Sequence, residues 1–174
     1  WQHHTQQGDV IEVEITTHSL TLDQRPVCIV LARDVTARRR AEAEVRRTTE
    51  LLRVVTEETP DAVFVKDRDG KYLLFNPAAA RFVGKPAEEV IGKDDTAIFG
   101  RDDAALIMEL DRRVMATAET LTSEETLTAA GATRTYLATK APYRDGNGQV
   151  VGTIGVSRDI TERKQAEALI AESQ

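Results

Sequence analysis

Apolar and polar positions divide the chain into short strands, turns and two charged helices. Residues 10–16 alternate apolar and polar with period two, the pattern of a half-buried strand. A turn at Asp23-Gln24-Arg25 leads into residues 26–32, a β-branched apolar run that predicts a second strand. From Thr36, a plausible N-cap, to Glu58 there is no Gly or Pro. Ala41, Val45, Thr48, Leu52 and Val55 are spaced 4, 3, 4 and 3 along this stretch. That spacing predicts a helix with the apolar seam of a coiled coil. The alternative is an amphipathic helix lying on its own domain.

Further along, residues 62–65 and 72–75 predict two short strands joined by a turn at Asp67 to Gly70. Residues 77–83 and 86–91 read as short helices, each opened by a proline and followed by a glycine. Residues 102–117 predict a longer helix with Leu106, Ile107, Leu110 and Val114 as its apolar stripe. Three strands follow at 120–128, 133–141 and 150–156, the last two joined by a turn containing Asn147-Gly148, a strong tight-turn signal. Strands first, helices grouped in the middle and strands last define an α+β antiparallel sheet with its helices on one side.

An internal repeat sets the domain boundaries. Arg33-Asp34-Val35-Thr36 recurs as Arg158-Asp159-Ile160-Thr161, Thr36 and Thr161 being 125 residues apart, and each copy opens a charged helix. A period that long is a tandem domain rather than a solenoid repeat. Residues 1–34 are therefore read as the closing strands of a truncated preceding domain, 35–58 as a connecting helix, 59–160 as one complete domain and 161–174 as the start of an outgoing helix. The first residue, Trp1, and the lack of any signal-like segment fit a piece of a longer chain.

Composition narrows the chemistry. With 174 residues, the chain has room for one domain and a fraction at about 150 residues per domain. It carries 23 Lys+Arg against 29 Asp+Glu, a net charge of −6, which gives no electrostatic reason to expect nucleic acid. No apolar run approaches the ~18 residues of a membrane span, so no membrane contact is expected of this segment and a cytoplasmic location is. The single cysteine, Cys28, rules out an intramolecular disulfide and a Cys-based zinc site, and reads as a small buried hydrophobe. The adjacent acidic pairs Glu88-Glu89, Asp94-Asp95, Asp102-Asp103 and Glu124-Glu125 read as solvated surface. No phosphate-cradling glycine loop and no Ser/His/Asp set appears, so no catalysis and no metal site are expected of this chain.

The order of elements and its landmark residues resemble the PAS domain family. In the first half the resemblance is carried by Asp69-Gly70, Asn76, Ala78, Gly84, Glu88, Glu89 and Gly92. Asp145-Gly146, Gly152 and Asp159-Ile160-Thr161 carry it in the second half, and Asp34-Val35-Thr36 repeats the domain-ending signature. The resemblance implies a five-stranded antiparallel sheet, with a pocket between its face and the small helices. It also implies a sensory or dimerising role upstream of an effector such as a histidine kinase or a cyclic-di-nucleotide cyclase. Relatives with a flavin–cysteine adduct are excluded because residues 35–174 contain no Cys, and His-ligated haem because the three histidines all precede residue 35. A noncovalent flavin, an organic acid or an empty apolar core all remain open, so the cofactor is unknown.

Three groups of residues follow. The pocket is expected to be lined by Phe64, Phe75, Asn76, Phe82, Phe99, Tyr136 and Ile154, with plain core packing as the alternative. Asp34, Thr36, Asp159, Ile160 and Thr161 are the expected signal joint, since a carboxylate ahead of a helix can hold the exposed first-turn amides. Ala41, Val45, Leu52 and Val55 are the expected homodimer seam. A ligand-free dimerisation spacer is the alternative function.

Overall fold

The computed structural model describes residues 1–6 and 8–172. Two units divide the chain, Trp1–Arg53 and Val54–Gln174.

In the first unit, strands β1 (Gln2–His4), β2 (Val10–Leu22) and β3 (Arg25–Asp34) form an antiparallel sheet in that order. The β2–β3 hairpin turns on Asp23 and Gln24, both at positive φ, as a two-residue connection matching strand twist requires. Strand β3 is exposed along its whole length. Cys28 is therefore exposed rather than buried, because nothing among the described residues covers either face of the hairpin there. Helix α1 (Thr36–Glu58) has the predicted bounds and no buried residue.

The second unit is built on a five-stranded antiparallel sheet of β4 (Ala62–Asp67), β5 (Tyr72–Phe75), β6 (Leu121–Ala129), β7 (Ala132–Arg144) and β8 (Val150–Asp159), ordered β5-β4-β8-β7-β6. Helices α2 (Pro77–Val83), α3 (Ala87–Val90) and α4 (Arg101–Thr117), with a 3-10 turn at Asp95–Ala97, lie between β5 and β6 in sequence. They bury one face of the sheet, and α5 (Thr161–Glu172) leaves from the end of β8. This is the expected α+β architecture.

Period-two alternation decides which side chains reach the core. On β7, Tyr136, Ala138 and Lys140 are buried, and on β6, Glu125, Leu127 and Ala129. Central strand β8 has glycines where its neighbours come closest. Gly155 lies opposite Phe64, whose ring occupies the space a Cβ would need, and a Cβ at Gly152 would run into the Lys66 carbonyl. The long helix departs from the expected stripe: its buried positions are Ala104, Ile107, Asp111 and Val114, while Leu106 is exposed.

Two apolar clusters fill the interior. One holds Phe64, Tyr72, Phe75, Ala79, Val83, Val90 and Ala129; the other holds Ile107, Leu127 and Tyr136. Phe82 and Phe99 pack against both.

Candidate ligand cavity and helix joint

Where the two clusters meet, they leave a cavity of about 40 Å³. Of the expected pocket residues, Phe64, Phe75, Phe82, Phe99 and Tyr136 line it. The rings interlock edge to face: Tyr72 and Phe75 are 4.9 Å apart between centroids, and Phe82 and Tyr136 are 4.8 Å apart. Burial pushes the Tyr136 hydroxyl up to a pKa of about 12, with the Asp159 carboxylate adding to the shift and Arg134 opposing it.

Two expected pocket residues are placed elsewhere. Ile154 is 38% exposed on the outer face of β8, because the inward phase of that strand belongs to Thr153, Gly155 and Ser157. Asn76 is buried, but every polar atom of its side chain is occupied by the protein. Its Oδ1 caps α2 by accepting from Ala79 N–H at 3.0 Å and also accepts from Val63 N–H at 2.9 Å. Its Nδ2 donates to the carbonyls of Thr56 and Asp61, both at 2.9 Å. Asn76 therefore ties α2, β4 and the end of α1 together, and offers a ligand nothing.

The cavity has a charged end that sequence reading missed. Glu125 and Lys140 line it and ion-pair at 3.1 Å, each almost wholly buried. Behind them, Lys66 donates to Asp95 Oδ1 and Oδ2 at 2.8 and 2.6 Å and to Asp111 Oδ2 at 2.7 Å. The Tyr72 hydroxyl donates to Asp95 at 2.7 Å. Burial, then Asp95, drive the Tyr72 pKa well above its ordinary value. Lys66 Nζ also stands 4.7 Å from the centre of the Tyr72 ring. The acidic pairs predict Asp95 and Glu125 as solvated surface; in the fold both are buried, while Glu124 is exposed and Asp94 half-buried. The available signal was strand phase, since Glu125 alternates in step with Leu127 and Ala129, and Lys66 in step with Phe64.

At the start of α5 the expected joint residues form one small hydrogen-bonded unit. Asp159 Oδ1 accepts from the Thr161 amide at 2.9 Å and from its hydroxyl at 2.6 Å. The Thr161 hydroxyl oxygen accepts from the Thr135 amide on β7 at 3.0 Å, and Ile160, buried, donates its amide to the Thr135 carbonyl at 2.8 Å. Burial acts to raise the Asp159 pKa, but the Thr161 hydroxyl and amide and the Arg134 guanidinium outweigh it and hold the carboxyl below its usual range. A lowered folded-state pKa means that this stabilisation is present at neutral pH and is lost as pH falls through the lowered value.

The first unit carries the same geometry. Thr36 donates to Asp34 Oδ1 from its amide at 2.9 Å and its hydroxyl at 2.6 Å, and its hydroxyl oxygen accepts from the Glu12 amide at 2.8 Å. Val35 donates to the Glu12 carbonyl at 2.9 Å. The Thr36 hydroxyl, then its amide, hold Asp34 below the usual carboxylate range. On α1, Ala41, Val45, Leu52 and Val55 are all exposed, Val45 by 67% and Val55 by 69%.

A five-stranded sheet with this strand order, an aromatic cavity under its helices and an Asp-x-Thr joint at its end defines a PAS-type sensory module. Residues 56–165 match the PAS fold family, and the chain belongs to it. It is 36% identical over 115 residues to the methanogenesis regulatory histidine kinase FilI of Methanothrix harundinacea, covering 66% of this chain and 13% of the kinase. It is 33% identical over 141 residues to the virulence sensor protein BvgS of Bordetella pertussis, covering 79% of this chain and 11% of BvgS. The solved structure of the PAS domain of BvgS superposes with a TM-score of 0.54 at 30% identity, over 75% of this chain and 98% of that domain. A diguanylate cyclase of Vibrio cholerae is 36% identical over 115 residues, covering 64% of this chain and 36% of the cyclase. The chain thus spans only a small part of the kinases it matches, and the homology is to their PAS modules. No helix among the described residues is long and apolar enough to cross a membrane.

Proposed function

We propose that residues 59–160 sense a small molecule in the aromatic cavity and pass the change to α5, within a multidomain protein whose effector is a histidine kinase. One observation carries this reading. Adjacent residues of β7 do the two jobs: Tyr136 lines the cavity, and the backbone of Thr135 clasps Thr161 and Ile160. A ligand that moves Tyr136 therefore biases the strand on which the outgoing helix is mounted. Residues 1–34 are the closing strands of a preceding copy, as the matching Glu12–Asp34–Thr36 joint supports. The segment works in the cytoplasm, where a kinase effector finds its nucleotide. The relative from Vibrio cholerae supports a diguanylate cyclase as the alternative effector.

Native mass spectrometry of the purified chain, followed by thermal melts against a metabolite panel, tests the sensing role. A co-purified molecule, or a compound that raises Tm, is the expected result. A chain that is empty and answers to nothing favours the ligand-free spacer, a reading supported by a 40 Å³ cavity with room for only a few waters.

The chain dimerises through the α1 seam of Ala41, Val45, Leu52 and Val55. An apolar stripe left exposed from Ala41 to Val55 of the 23-residue helix supports this, because pairing with a second copy takes the stripe out of water. Val45→Asp is expected to convert the dimer to a monomer by light scattering, with an unchanged circular dichroism spectrum. A dimer that survives the substitution would place the interface elsewhere.

A further inference from the structure

The outer wall of the cavity is thin. Phe82 and Tyr136, with the small Ala62 beside them, line both the interior cavity and an outer cleft of about 220 Å³, so one layer of side chains separates the two. The charged residues of the cleft are Arg81, Arg134 and Asp159. Arg134 stands 5.9 Å from the centre of the Phe82 ring and pairs with Asp159 at 3.0 Å. Arg81, at the exposed surface of α2, has no ion pair among the described residues. The cleft therefore carries one uncompensated positive charge, set against an apolar wall with an aromatic chamber behind it.

We infer that this site takes an amphipathic carboxylate, its head between Arg81 and Arg134 and its apolar tail entering the cavity as Phe82 swings aside. The inference rests on the sensory reading of the cavity and names the ligand class. Both parts of the molecule are called for. Guanidinium groups pair with carboxylates through two parallel hydrogen bonds, and Arg81 is available for such a pair. The charged end of the cavity is already ion-paired between Glu125 and Lys140, so what remains to contact a tail is mainly aromatic and aliphatic. Cleft and cavity together accommodate what the 40 Å³ chamber alone does not. The head group also has a direct route to the output. It competes with Asp159 for the Arg134 guanidinium, and Asp159 is the residue that holds the first turn of α5. Binding therefore exchanges a bond inside the joint for a bond to the ligand.

Calorimetry and thermal melts of the full 174-residue chain with 3-phenylpropionate test this. Saturable binding and a rise in Tm are expected. The uncharged isostere 3-phenylpropanamide should bind at least tenfold more weakly, and inorganic phosphate should not replace the acid. Arg81→Gln should leave the melting of the free protein unchanged, since Arg81 has no partner to lose, and weaken the acid at least fivefold without affecting the amide. An amide that binds as tightly as the acid, or an acid indifferent to Arg81→Gln, overturns the carboxylate assignment. Phosphate binding as well as the acid overturns the role of the tail. Should neutral apolar compounds raise Tm while the acid does not, the ligand class falls and the sensory reading stands. Should nothing bind, both fall.

Discussion

Lys66→Met is expected to destabilise the complete domain by about 3–5 kcal/mol, the effect of removing one partner from a buried ionic cluster. Lys66 is 1% exposed and is the cation to which both Asp95 and Asp111 are bound. Methionine fills much the same volume, so the loss is electrostatic rather than a cavity. It leaves two carboxylates in the core, with Lys140, already paired to Glu125 and 3.6 Å from Asp111, as the nearest remaining cation. A fall in Tm on the order of 10 °C at neutral pH should follow. Adding Asp95→Asn should recover part of the loss by removing one orphaned charge. A Lys66→Met protein that melts like the parent would show that the cluster contributes nothing to stability.

Asn76→Ala should have an effect of similar size for a different reason. The truncation deletes four hydrogen bonds at once, those to the amides of Val63 and Ala79 and to the carbonyls of Thr56 and Asp61. At roughly 1 kcal/mol per bond, and more for each group that stays buried, a loss of about 3 kcal/mol or more is expected by urea denaturation. Asn76→Asp should not rescue it, because a carboxylate would then face two carbonyl oxygens in place of an amide donor. If Asn76→Ala instead kept its stability and lost only ligand binding, the residue would belong to the cavity after all.

These two residues mark where sequence reading succeeded and where it stopped. The strand and helix order was legible, because period-two and period-3.6 patterns, prolines at helix starts and the Asn147-Gly148 turn are local signals. The joint was legible for the same reason, as Asp159 and Thr161 are two residues apart and their bonding is local. Asn76 was recognised as a landmark but assigned the wrong neighbours. Nothing local to residue 76 shows that residues 56, 61 and 63 converge on its side chain. Lys66, Asp95, Asp111, Glu125 and Lys140 lie on three strands, one turn and one helix, spread over 75 residues. Each charge alone looks like surface, and only their convergence makes burial affordable. Ile154 failed through phase: on a strand of alternating Gly and β-branched residues, composition suggests that the larger side chain points inward. Phe64, however, fills the space above Gly155 and claims the inner face for itself.

The sequence by itself determined the family, the bounds of α1 and the two Asp-x-Thr joints, the last two being properties of short segments whose backbone preferences act locally. Tertiary structure alone decided which charges are buried, which strand face is the inside, and that Tyr136 and Thr135 put the cavity wall and the helix mount on neighbouring residues. It also decided that Phe82 stands between the cavity and the cleft of Arg81 and Arg134. The physical reason is range. Hydrogen bonds within a turn are written in adjacent residues, whereas ion pairing and aromatic packing in a core depend on segments that meet only when the sheet closes.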